Sequence, residues 1–114
     1  MYPFRYIISV YTIQKTELFN MWLIKLRDIN GKGRILARLK RAELGNLGDF
    51  KALGSGLHEM RIDCGPGYRL YFTKEKDRII ILLSGGSKAS QEKDIKKAFK
   101  IMKEIEDKNG YKSF

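Results

Sequence analysis

An α+β fold is predicted for this chain: a small, mainly antiparallel sheet with an N-terminal helical hairpin ahead of it and a C-terminal helix behind it. Three observations predict it. Gly65-Pro66-Gly67 reads as a turn, so Leu57–Cys64 and Tyr68–Thr73 are the arms of a β-hairpin and Arg78–Ser84 is the strand that follows. Apolar residues recur at helical spacing in two segments before the hairpin and in one after it. With 43% hydrophobic and 11% aromatic residues in 114 positions, and no linker, repeat or low-complexity stretch, the chain has ample apolar surface for one core, and residues 1–114 are expected to form a single domain.

Tyr6–Ile13, rich in β-branched and aromatic residues, is expected to be the first strand. Lys15-Thr16-Glu17 then offers an N-cap, and Leu18, Phe19, Trp22, Leu23 and Leu26 follow at helical spacing. Asp28-Ile29-Asn30-Gly31-Lys32-Gly33 is expected to break the helix, and Arg34–Leu44 to resume it with Ile35, Leu36, Leu39 and Ala42 on one side. Phe50–Leu53 reads as a short edge strand. Arg78–Ser84 is apolar on both faces, as a central strand covered on both sides is. Gly85-Gly86 gives it a sharp exit and sets Lys88 near the start of the last helix, Ser90–Lys108, which carries Ile95, Ala98, Phe99, Met102 and Ile105 on one stripe and stops at Asn109-Gly110.

Alternation along the hairpin sorts its side chains. Leu57, Glu59, Arg61 and Asp63 share one face, while His58, Met60, Ile62 and Cys64 share the apolar one. On the partner arm Tyr68, Leu70 and Phe72 are the apolar set, which turns Arg69, Tyr71 and Thr73 toward the side of Glu59 and Arg61. A slip of one residue would bury Arg69, so burial fixes the register. Arg61 and Arg69 are then neighbours, and like charges side by side call for an anion: Glu59, Asp63 or a phosphate. His58, by the same parity, turns toward the core, and Cys64 reads as a small buried hydrophobe rather than a reactive thiol.

Twenty-three basic residues against thirteen acidic ones leave a net charge of +10, a field that favours polyanions. Arg34, Arg38 and Arg41 align as a basic stripe opposite the apolar side of the second helix. Between Lys25 and Arg41 seven bases face a single acid, an imbalance that points to phosphate contact rather than to a merely solvated face. On the last helix the lysines alternate with Glu92, Asp94, Glu104 and Glu106, so there a solvated face is expected. One histidine and one cysteine exclude a transition-metal cluster and an internal disulfide, and no metal or other cofactor is expected. No secretory leader pattern opens the chain and its longest aliphatic run, Ile79–Leu83, falls far short of a membrane span, so a cytoplasmic location without membrane attachment is expected.

The order strand, two helices, Lys51-Ala52-Leu53-Gly54, Glu59-Met60-Arg61-Ile62, Gly67-Tyr68-Arg69-Leu70-Tyr71, a hydrophobic strand and Gly85-Gly86-Ser87-Lys88-Ala89-Ser90-Gln91 resembles the RelE/HigB toxins. Within them it looks closest to the addiction-module killer branch of the RelE/ParE superfamily. The resemblance runs from about Tyr6 to the last helix. One departure is Ser87, where that branch usually carries Asp before the lysine. The resemblance implies a RelE-like fold and a type II toxin-antitoxin module. It implies ribosome-dependent, metal-free cleavage of messenger RNA, restrained by a cognate antitoxin of helix-turn-helix type. In such cleavage the ribose 2′-hydroxyl attacks the adjacent phosphate and a 5′-hydroxyl leaves, which requires a base, an acid and cations around the phosphate.

Carried over residue by residue, Arg69 matches the arginine of the Gly-Tyr-Arg motif and Lys88 the cationic position after the last strand. Arg69 and Arg61 are expected to neutralise phosphate charge, Glu59 to act as the base or to position the nucleophile, and Lys88 to add charge or protonate the leaving oxygen. Arg34, Arg38, Arg41 and Lys51 are the expected RNA and ribosome contacts, with Tyr71 as the stacking candidate. Two rivals stand beside this reading: a ParE-like toxin that binds DNA gyrase and cuts nothing, and a basic nucleic-acid-binding module without catalysis.

Overall fold

Alternating apolar residues in the hairpin and the doubly apolar strand after it build the centre of the molecule. The computed structural model describes residues 10–109. They form a five-stranded sheet in the order β1-β5-β4-β3-β2 with three α-helices, an α+β architecture. The strands are β1 (Thr12–Lys15), β2 (Phe50–Gly54), β3 (Leu57–Ile62), β4 (Tyr68–Glu75) and β5 (Ile79–Ser87), and the helices α1 (Glu17–Lys25), α2 (Ile29–Glu43) and α3 (Gln91–Asn109). Only β1 against β5 is parallel; the other pairs are antiparallel. Half of the expected first strand, residues 6–9, lies outside the described residues; in the described half β1 begins only at Thr12, and it runs on to Lys15.

Helices cover both faces. Phe19 and Leu23 of α1 and Ile35 and Ala42 of α2 pack on Met60, Ile62, Tyr68, Leu70, Phe72, Ile80 and Leu82. On the other side Ala98 and Met102 of α3 pack on Leu57, Tyr71, Ile81 and Leu83. The strand parity read from the sequence holds at every hairpin pair from Leu57↔Thr73 to Ile62↔Tyr68, including Arg61↔Arg69. A bulge opposite Tyr71 and Phe72 inserts Leu83 as an extra residue of β5, between the partners Leu82 and Ser84. Among the described residues no helix is long and apolar enough to cross a membrane.

Thr16 caps α1 as expected, its hydroxyl accepting from Phe19 N–H at 3.1 Å. The same hydroxyl donates to Leu83 O at 2.8 Å, which fastens the start of the helix to β5.

Glycine was the least faithful signal. The expected break across Gly31 and Gly33 is a correction: Asp28 caps a helix that already begins at Ile29, with Gly31 N–H donating to Asp28 Oδ1 at 3.0 Å. A Cβ at Gly31 would lie 2.5 Å from Tyr68 Cε2, so the residue serves close packing. Its cost inside a helix, about 1 kcal/mol, is offset there. Likewise Gly85-Gly86 is no exit but part of β5, which continues to Ser87. A Cβ at Gly85 would meet the Trp22 ring at 2.5 Å, and one at Gly86 would run into the Asp94 carboxylate. These glycines let a helix approach each face of the sheet.

Candidate functional site

Two rows of side chains cross the sheet on the α3 side. Lys51, Glu59, Tyr71 and Ser84 occupy one, and Arg61, Arg69 and Gly86 the next. Apart from Lys51 at its edge, the first row is covered. Glu59 is 0% exposed, and its Oε2 accepts from the Tyr71 hydroxyl at 3.1 Å and from Gln91 Nε2, at the start of α3, at 2.7 Å. Its Oε1 has no hydrogen-bond partner among the described residues. Tyr71 is also 0% exposed, which corrects its reading as an open stacking platform. Burial, and then the neighbouring Glu59 carboxylate, push its phenol far above the usual value. Among the described residues Glu59 has no ion pair with Arg61; the carboxylate on Arg61 is that of Asp49, at 3.3 Å.

The outer row is the cationic one. Arg61 and Arg69 face each other across β3 and β4. The Arg69 side chain is half-buried and has no hydrogen-bond or ion-pair partner among the described residues, and the Nε atoms of both arginines are buried without an acceptor. Lys88 opens the short turn between β5 and α3; its N–H donates to Gly67 O at 2.7 Å, and its side chain is exposed. The structure thus brings Arg61, Arg69 and Lys88 to one end of the hairpin, with Glu59 beneath α3 and Lys51 exposed on the edge strand. Ser87 ends β5, and in the turn after it the Ser90 hydroxyl donates to the Asp94 carboxylate of α3 at 2.5 Å.

The basic stripe on α2 is a second correction. Arg34 and Arg41 are exposed, but Arg38 is only 9% exposed and turns inward. Its Nη1 donates to Arg61 O at 2.7 Å, and its Nη2 to Leu47 O at 3.0 Å and Asp49 O at 3.1 Å. Burial, and then the Arg41 cation, pull its pKa down, while Asp49 opposes them. The chain reversal at Asn46–Asp49 leaves carbonyls that need a donor, and Arg38 supplies it. Beside it an open groove of about 1110 Å³ runs between α2 and the end of β3, lined by Arg34, Lys40, Arg41, Asp28 and Asp63 among others.

At the head of that groove the Tyr68 hydroxyl donates to Asp28 Oδ2 at 2.7 Å. The Gly31 N–H, and then Tyr68, hold the Asp28 carboxyl below its ordinary value of 3.8. Burial, and then the bond to Asp28, push Tyr68 up to about 12. A carboxylate lowered in the folded state stabilises above its unfolded pKa, and that contribution is lost as pH falls through the folded one. A phenol raised in the folded state has the opposite effect: stability declines as pH climbs from about 10 to 12, where only the unfolded chain has ionised. Urea midpoints measured across pH are expected to fall on both sides of neutrality. Tyr68→Phe should flatten the alkaline arm in part, and an arm identical to wild type would refute this origin.

His58 turns toward the core as parity predicts, stacked on Phe72 with centroids 5.2 Å apart. Burial, and then Lys74, lower its pKa and favour the neutral ring. Cys64 is half-buried against the α1/α2-side core. Among the described residues no group of three or more His, Cys, Asp and Glu is placed to hold a metal ion.

Sequence reasoning missed Asp49 and Gln91. Asp49 precedes β2 in a glycine-rich reversal whose register no local pattern fixes, and Gln91 reaches Glu59 only because α3 starts directly over the sheet.

No protein-family model matches the chain. An uncharacterized protein of Haemophilus influenzae is 44% identical to it over 93 residues, which span 82% of this chain and 94% of that protein.

Proposed function

We propose that this chain, which belongs to one family with the uncharacterized Haemophilus influenzae protein, is the toxin of a toxin-antitoxin module and a metal-free, ribosome-dependent messenger-RNA endonuclease of the RelE/HigB type. The observation that carries the reading is the Arg61/Arg69 pair, with Arg69 lacking any counter-ion among the described residues. Two arginines directly opposite each other on a sheet repel, and a bound phosphate relieves that repulsion. The net charge of +10 and the exposed Arg34, Arg41 and Lys51 supply the wider field for RNA.

In the proposed reaction the 2′-oxygen bonds to phosphorus as its proton leaves to water, and the P–O5′ bond breaks. The departing oxygen takes a proton from the Lys88 ammonium. Arg61 and Arg69 act electrostatically, since a guanidinium is too weak an acid to donate. Glu59, buried beneath α3, serves as the anchor that fixes Tyr71 and Gln91 rather than as an open base. The ribosome holds the message in an in-line geometry, and orientation of that kind can carry up to about 7–11 kcal/mol of a barrier. A helix-turn-helix antitoxin is the proposed partner and the cytoplasm the proposed location.

The test is to induce the chain in growing cells and map 5′ ends across translated and untranslated messages. Cuts confined to translated regions support the reading. Arrest with intact messages would move it to the gyrase-binding alternative. One observation favours that second reading: Leu18, Met21 and Ile24 of α1 and Ile29 at the start of α2 are exposed, Ile29 at 83%, apolar surface suited to a protein partner.

A further inference from the structure

Asp49 has no role in the reaction above, yet it is held more firmly than an exposed acid requires. Its carbonyl accepts from Arg61 N–H at 2.8 Å and from Arg38 Nη2 at 3.1 Å. Arg38 Nη1 also takes the Arg61 carbonyl at 2.7 Å. One buried guanidinium therefore fixes the backbone on both sides of the Asp49–Arg61 ion pair. The carboxylate itself is 63% exposed and reaches Arg61 Nη2 at 3.3 Å, on the row where Arg69 stands without a partner.

We propose that Asp49 is a built-in competitor at the Arg61/Arg69 anion site, its carboxylate occupying Arg61 until a phosphate group that engages both guanidinium groups displaces it. Exposed ion pairs are weak, so the carboxylate is an easily displaced occupant. Its single pair of oxygens satisfies Arg61 alone, whereas a phosphate presents three or four oxygens to two forks at once. Asp49 thereby sets a threshold: isolated monoanions of carboxylate type gain little over what Arg61 already has, and phosphate is preferred. The choice of phosphate as the natural ligand rests on the nuclease reading; the competition does not.

The experiment titrates the folded chain with inorganic phosphate and follows the guanidinium Nε–H signals of Arg61 and Arg69 by nuclear magnetic resonance. Asp49→Asn is expected to tighten phosphate about two- to fivefold, the equivalent of a weak surface ion pair removed. Asp63→Asn is the control, since Asp63 is exposed, lies two residues from Arg61 and makes no ion pair among the described residues. Tightening in Asp49→Asn alone supports the proposal. Equal tightening in both variants reduces it to net charge and overturns it, as does unchanged or weaker binding in Asp49→Asn, or no response at either arginine. Message cleavage is scored separately in a translating extract. Phosphate competition without cleavage leaves the proposal standing and removes the nuclease reading, while cleavage without competition does the reverse.

Discussion

Arg69→Ala is expected to abolish growth arrest and to lower message cleavage by about 10²–10³-fold, the usual consequence of losing one charge-stabilising donor. Its stability is expected to hold or to rise by about 0.2–1 kcal/mol, because the substitution removes a like-charged partner directly opposite Arg61 and no hydrogen bond. That combination separates function from folding. Side chains that serve structure lower stability when cut away, and one that lowers activity while relieving repulsion is kept for a ligand. Urea melts and the 5′-end map, run on the same preparation, decide it. A fully toxic Arg69→Ala chain would sink the site, and a destabilised one would return Arg69 to the scaffold.

Arg38→Ala is expected to have the largest effect on stability among these variants, a loss of about 1–3 kcal/mol for each buried carbonyl left without a donor. The cation itself is costly to bury, but removing it takes the side-chain donor from the carbonyls of Leu47 and Arg61 and leaves that of Asp49 with the Arg61 N–H alone. Against a total of about 5–15 kcal/mol for a domain of ordinary stability, that is a large share. Arg34→Ala on the same helix, exposed, should change it by no more than about 0.5 kcal/mol. Equal midpoints for the two variants would show that the stripe is uniform and solvated after all.

The contrast between these two arginines marks what the sequence made legible. Arg69 could be placed from its own strand, because period-two alternation and the burial of Tyr68, Leu70 and Phe72 leave it one face only. Its neighbour Arg61 followed from the hairpin turn. Arg38 could not, since its spacing from Arg34 and Arg41 is equally that of a surface stripe, and what turns it inward is a chain reversal with unfilled acceptors nine to eleven residues on. Tyr71 and Glu59 were assigned the right face, but that α3 would close over them depended on a packing that no pattern within β3 or β4 encodes. Gly31 and Gly85-Gly86 misled for a related reason. A glycine chosen so that another element can come close looks, along the chain, the same as one chosen to end an element.

The parallel pairing of β1 with β5 has a consequence for the order in which the molecule assembles. From β2 to β5 every strand pairs with its sequence neighbour, a meander whose contacts close over short loops. Thr12, by contrast, meets Ile79 only after the whole of both helices and three strands have been traversed. Closing so long a loop is entropically disfavoured until the meander gives β1 an edge to dock on. The meander is therefore the early unit and β1, with the α1 cap that Thr16 ties to Leu83, the late one. In native-state hydrogen exchange the Thr12 and Thr16 amides are expected to open with smaller free energies than those of β4, and equal protection would mean that the sheet forms as one.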